Sequence, residues 1–321
     1  MYLKKLTHPE YFQGNKHKKH YFEGWYYKFV SHDESVTLAL IPGVSLTKDD
    51  THAFIQVFLS ETKQDQPELK TYYFRYDYSS FHYHQDRFQI QIGNNTFTKS
   101  LAKIILKQDD FSLEGSLKME HITPIKSSLL VPNIMGFFGY FSFMECYHGV
   151  VSMSHQLTGS FIINNQPVIF ENGKGYIEKD WGKSFPKSYV WLQSNHFTEL
   201  GTSMMFSYAT IPFLKREFKG LIANVIYRGK EYRFATYNFT KVVKKEIEDN
   251  QVSFTLKKRT YRLEVKASTR HQINLVSPRN GKMIEQIKEG MSGIVELALY
   301  RDDKLIFRDL GNHAGIEIMM K

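Results

Sequence analysis

Apolar residues recur at every second position along most of this chain, and a chain written with that period buries one face of a pleated strand. In residues 111–121, Phe111, Leu113, Leu117 and Met119 fall on one side, opposite Ser112, Glu114, Ser116, Lys118 and Glu120. Phe88, Ile90 and Ile92 alternate with Gln89 and Gln91 before Gly93-Asn94-Asn95 turns the chain. Ala53, Ile55, Val57 and Leu59 line a third such face, and Tyr72, Phe74, Tyr76 and Tyr78 a fourth. Past the middle, residues 221–227 turn at Arg228-Gly229-Lys230 into 232–237, and 252–256 turn at 257–259 into 261–265. Residues 294–300 turn at Arg301-Asp302-Asp303 into 305–307, and 314–320 make a last strand. Helix is expected only around residues 9–13 and 283–288. An aromatic content of 15% suits half-buried pleated surfaces. The expected fold class is all-β, with antiparallel strands closed as barrels or stacked as sandwiches.

The length of 321 residues is about twice that of a common single domain of ~150 residues. Two β-modules are expected, residues 1–175 and 176–321, with the seam inside 173–187 (GKGYIEKDWGKSFPK), where Gly, Lys and Pro interrupt the alternation. A single cysteine, Cys146, excludes an intramolecular disulfide framework and a Cys-rich zinc module. Residues 1–19 hold no apolar core of the kind a signal peptide needs, which leads to the expectation of a cytoplasmic protein. The longest charge-free stretch, from Ser127 to Met144 (SSLLVPNIMGFFGYFSFM), is interrupted by Pro132, Asn133, Gly136 and Gly139 and falls short of the ~20 apolar residues a spanning helix needs. The formal net charge of +9 gives a basic surface suited to an anionic membrane face, nucleic acid or plain solubility. No basic-aromatic RNA-binding pattern is present, so no nucleic-acid partner is expected. No GxSxG, P-loop or dinucleotide GxGxxG occurs. Histidines come in pairs (His17 and His20, His82 and His84, His148 and His155), none at a metal-ligand spacing, so no metal is expected. Cys146 beside His148 reads as a structural thiol.

Two segments are richer than folding requires. In KHYFEGWYYKF, residues 19–29, a strand sets Glu23, Trp25, Tyr27 and Phe29 on one face. A carboxylate buried there must be paired or change its pKa. Glu23 therefore either bonds a nearby backbone or Arg group or serves chemistry. In GYIEKDWGKSFPKSYVWLQSNHF, residues 175–197, the latter half sets Tyr189, Trp191, Gln193, Asn195 and Phe197 on one side. That face suits either the wall of a ligand cavity or an outward aromatic ladder. Just upstream, Glu178, Asp180 and Trp181 sit in what reads as a Gly-bounded loop.

At these segments, and in the ending GIVELALYRDDKLIFRDLGNHAGIEIM, the sequence resembles the tocopherol cyclase family. The resemblance implies two lipocalin-like (calycin-type) antiparallel β-barrel modules packed together. It also implies chroman-ring closure: the trisubstituted alkene of a prenylated phenol or quinol is protonated, and the phenol oxygen captures the tertiary cation. No cofactor is implied. The acid would be Glu178 or Asp180, with Glu23 next. Trp25, Trp181 and Trp191 would face the cation, Tyr27 would join them in substrate binding, and Gln193 and Asn195 would orient the phenol. The rival expectation is a non-catalytic, lipocalin-like carrier of a hydrophobic small molecule. In either case the partner is an oily small molecule, with a peripheral membrane contact through the stretch from Ser127 to Met144.

Overall fold

The computed structural model describes residues 2–14, 19–63, 66–108, 110–214 and 216–320; His17 lies outside them. The chain is all-β apart from a short helix at Tyr2–Thr7 and three 3-10 turns among the described residues. No helix among them is long and apolar enough to cross a membrane.

Two antiparallel sheets carry the fold. The first holds β1 (Tyr21–Val30), β2 (Val36–Leu46), β3 (His52–Lys63), β4 (Gln66–Asp77), β5 (Phe81–Tyr83) and β6 (Gln89–Ile92). It continues with β7 (Asn95–Thr98), β8 (Leu101–Gln108), β9 (Phe111–Glu120), β10 (Cys146–Ile163), β11 (Gln166–Ile169) and β12 (Lys174–Gly182). Its order is β4-β3-β2-β1-β12-β10-β9-β8-β7-β6-β5, with β11 beside β10. Thus β12 returns from far along the chain to sit at the centre, between β1 and β10. The sheet rolls until distant strands meet: the rings of Tyr72 on β4 and Phe111 on β9 stack with centroids 4.1 Å apart. All four apolar faces read in the first half of the sequence line one core, which also takes Trp25, Tyr27, Phe29, Ile177 and Trp181.

The second sheet holds β13 (Tyr189–Ser194), β14 (His196–Phe197), β15 (Ser203–Phe213), β16 (Arg216–Tyr227), β17 (Lys230–Ala235) and β18 (Lys241–Ile247). It is completed by β19 (Gln251–Lys258), β20 (Tyr261–Ser268), β21 (Ile273–Arg279), β22 (Lys282–Arg301) and β23 (Lys304–Met319). Its main path runs β17-β16-β15-β13-β23-β22-β20-β19-β18. It too curls, bringing Phe254 of β19 to 4.7 Å from the ring of Phe206 on β15.

The chain divides into one unit of Met1–Ile134, Gly139–Phe185 and Val276–Glu285, and another of Met135–Phe138, Pro186–Leu275 and Gln286–Lys321. The first unit runs ten residues past position 175, because β12 hydrogen-bonds β1 and β10 along its whole length. Residues 276–285 also belong to it: Gln56 Oε1 accepts from Val276 N at 3.0 Å, and Ser45 Oγ donates to the Gly281 carbonyl at 2.7 Å.

Three local expectations fail. Residues 9–13 form one turn at Pro9 and Glu10, a bend at Tyr11 and irregular chain after it, the helix lying earlier at Tyr2–Thr7, because the main chain there is drawn into bonds with buried side chains described below. Residues 283–288 lie in β22, where pairing to β23 overrides a local helical leaning. The strands expected at 305–307 and 314–320 are one strand, β23, carried through by pairing to β22 with register shifts.

Candidate functional site

The loop expected around Glu178, Asp180 and Trp181 is strand β12, and its alternation is disguised by charge. Gly175, Ile177, Lys179 and Trp181 point inward, and Tyr176, Glu178 and Asp180 outward. Register with β1 places Trp25 opposite Lys179 and Glu23 opposite Trp181, all facing the core.

On the inner face, Glu23 and Lys179 form a fully buried ion pair, Nζ to Oε1 at 2.5 Å. The ammonium also donates to the Pro9 and Tyr11 carbonyls at 2.8 and 2.6 Å and lies 4.7 and 4.8 Å from the ring centres of Trp25 and Trp181. Burial pulls the pKa of Lys179 down to about 8 against the attraction of Glu23. Glu23 further accepts from Gln13 N, Gly14 N at 2.9 Å and the Tyr21 hydroxyl at 2.6 Å. Buried charges persist only when their hydrogen-bonding capacity is met in this way. Of the two sequence readings of Glu23, the geometry supports the structural one, with a lysine and main-chain amides as partners. Trp25 and Trp181 cover an ammonium of the protein itself, and Tyr27 packs in the core with its hydroxyl donating to Thr98 O at 2.9 Å.

The outer face carries a different cluster. Register sets His148 of β10 opposite Asp180, and His148 Nδ1 lies 2.9 Å from Asp180 Oδ1. Its Nε2 lies 3.6 Å from Glu178 Oε2, and the same oxygen accepts from the Tyr176 hydroxyl at 2.5 Å. Burial would discharge the imidazole, but the carboxylates of Asp180 and Glu178 outweigh it and hold its pKa up to about 9. At neutral pH, His148 is therefore an imidazolium between two acids. Burial, with Glu178 beside it, pushes the Tyr176 phenol well above its ordinary pKa and keeps it a donor. Burial also pushes up the thiol of Cys146, so it is no ready nucleophile. Gly24, opposite Asp180 on the neighbouring strand, puts no side chain beside the carboxylate. A Cβ built there would meet nothing closer than Ile41 Cγ2 at 3.6 Å.

His148, Glu178 and Asp180 each offer a ligand atom within 4.8 Å of one another, close enough for a metal ion to bridge. Sequence spacing gave no sign of this, because the histidine comes from a strand some thirty residues away. His155, paired with His148 by eye in the sequence, is separate in chemistry: burial drives its pKa down to about 3, and Nδ1 meets Ser152 Oγ at 3.0 Å.

Trp191, Gln193 and Asn195 belong to the other unit. Val190 and Leu192 enter its core, so Tyr189, Trp191 and Gln193 take the opposite face, buried all the same. The Tyr189 hydroxyl donates to Glu317 Oε2 at 2.5 Å, and Glu317 stands in register with both Trp191 and Glu289. Glu289 and Glu317 are buried carboxylates that sequence reasoning missed, as it missed Tyr176 and Lys179. Alternation from Ile177 and Trp181 could have found Lys179 on the core face. An open groove of about 400 Å³ lies elsewhere on this unit, among Glu246, Gln251, Lys266 and Glu296.

The family model of tocopherol cyclase-like proteins matches residues 131–319, more than half of the chain. No curated protein matches the sequence. Among solved structures, a Nitrosomonas europaea protein assigned to AttH is 12% identical with a TM-score of 0.53, over 94% of this chain and 93% of that one. Kievitone hydratase from Nectria haematococca is 10% identical with a TM-score of 0.52, over 94% and 89%. CghA is 9% identical with a TM-score of 0.57, over 94% and 88%. At such identities the likeness is one of fold, which agrees with the all-β, two-sheet architecture. With the matched region running from just before β10 through the last strand, and so taking in His148, Tyr176, Glu178 and Asp180, the chain belongs to the tocopherol cyclase-like family.

Proposed function

We propose that this protein closes a chroman ring on a prenylated phenol or quinol by acid–base chemistry at Tyr176, Glu178, Asp180 and His148. The observation that carries the reading is the imidazolium of His148 held between two carboxylates, one of which also accepts from a tyrosine. Such a cluster stores a proton where water is scarce, which is what protonation of an alkene requires. The proton of the His148 imidazolium passes from Nε2 by way of Glu178 to the less substituted alkene carbon, and a tertiary cation forms on its neighbour. The phenol oxygen then attacks that cation to make the C–O bond, and the phenolic proton returns to the cluster. Nothing is oxidised or reduced. Asp180 fixes the ring of His148 through Nδ1, so that Nε2 faces Glu178 and takes back the phenolic proton by the same route. This retains Glu178 and Asp180 from the sequence reading and adds His148 and Tyr176; Glu23 becomes an anchor.

The test is incubation with a prenylated hydroquinone in deuterium oxide. The chroman product is expected to carry one deuterium on the carbon next to the new C–O bond. Glu178→Gln and Asp180→Asn are each expected to lower kcat by about a hundredfold or more while binding persists. Undiminished conversion in both variants would reject the site. Binding of the quinol by the wild type with no conversion would establish the carrier reading in its place.

A further inference from the structure

We infer that Leu129 and Leu130 form a membrane anchor that seats the protein on the interface of an anionic bilayer. Ser128 and Val131 bond each other twice, N to O at 2.9 and 3.1 Å, which closes a two-residue hairpin with Leu129 and Leu130 at its tip. Such tips ordinarily carry Gly, Asn or Asp, which turn easily and prefer water. Here two leucines stand 84% and 79% exposed, and they are the only adjacent exposed large hydrophobics among the described residues. A local rule broken so plainly, with no folding gain, points to a role outside the fold.

The tip is held in place. The Tyr140 hydroxyl donates to the Leu129 carbonyl, and Ser128 Oγ accepts from Val131 N at 3.2 Å. At its base, Asn133 Nδ2 donates to Leu6 O at 3.0 Å. A leucine pair fixed beforehand loses little freedom on entering lipid. Phe143, 53% exposed and stacked on Phe141, adds a ring of the kind that favours the interface. Residues 122–144 contain Lys126 and no Asp or Glu, within a chain of net charge +9. Nothing in the segment repels anionic headgroups, and the whole molecule is drawn toward them.

Flotation with phosphatidylcholine vesicles containing about a third phosphatidylglycerol tests this, in the absence of any quinol. The wild type is expected to float, and L129S/L130S to lose binding by about tenfold or more while its melting curve is unchanged. Tryptophan at the tip, L130W, should shift its emission to the blue when vesicles are added. Equal flotation of wild type and double variant, or no flotation of the wild type, overturns the proposal, as does L130W floating with unshifted emission. A wild-type dimer that the double variant lacks, with no flotation of either, would overturn it in favour of a self-association surface. Because no substrate is present, failure here leaves the cyclisation reading standing, and failure of cyclisation leaves the anchor standing.

Discussion

Lys179→Met is expected to destabilise the protein by about 3–5 kcal/mol, because it strands the Glu23 carboxylate in the core. Glu23 would keep Gln13 N, Gly14 N and the Tyr21 hydroxyl but lose its counter-charge. The carbonyls of Pro9 and Tyr11 would lose their donor at the same time. Residues 9–14 are held by these bonds together with the Trp25 indole donating to Glu10 O at 2.8 Å and the buried ring of Phe12, so the variant should loosen that segment and raise its proteolysis. The double variant Glu23→Gln/Lys179→Met removes both charges and is expected to recover part of the loss, as cycles across contacting residues do. Denaturant midpoints measure both effects. A midpoint for Lys179→Met equal to that of the wild type would show that the pair does not hold the core.

The second large effect is a pH dependence set by His148. An imidazole whose folded pKa stands near 9, against an ordinary value of 6.5, binds its proton more tightly when folded. Its contribution is fully present below pH 6.5 and is lost as pH rises to about 9. The amount is on the order of 3 kcal/mol, since each pKa unit corresponds to about 1.4 kcal/mol. Lys179 works in the opposite sense. Its folded pKa near 8 lies below the ordinary 10.5, so its term raises stability as pH climbs between those values. The two overlap, and the His148 term is isolated as the difference between wild type and His148→Gln. That difference should fall across the window from pH 6.5 to 9; parallel stability profiles would refute the charged histidine.

Much of the fold was legible because each barrel wall is written in period two. Ala53 to Leu59, Phe88 to Ile92 and Phe111 to Met119 all enter one core, as their spacing required. At β12 the loop reading failed because charge masks the period. There a lysine takes a core position and two acids alternate with it, so hydropathy loses the period that the backbone keeps. The same masking hid Lys179 as the partner of Glu23. The outer cluster was half legible: Glu178 and Asp180 stood out as acids, but His148 reaches them only through pairing of β10 with β12, a contact that no local pattern encodes. Trp191 and Gln193 were read correctly as sharing a face, yet which face a strand turns to its core depends on neighbours. Val190 and Leu192 took that place.

One wall, β12 with its neighbours, has an anchor on one side and an acid cluster on the other, interleaved residue by residue. That arrangement shapes how relatives of this protein can diverge. Point substitutions at Tyr176, Glu178 or Asp180 alter the outer cluster while the Glu23–Lys179 pair on the other face stays in place. Gain or loss of a single residue within the strand would carry the ammonium outward and an acid inward, exchanging the two roles at once. Along this stretch, heredity can edit letters but not spacing.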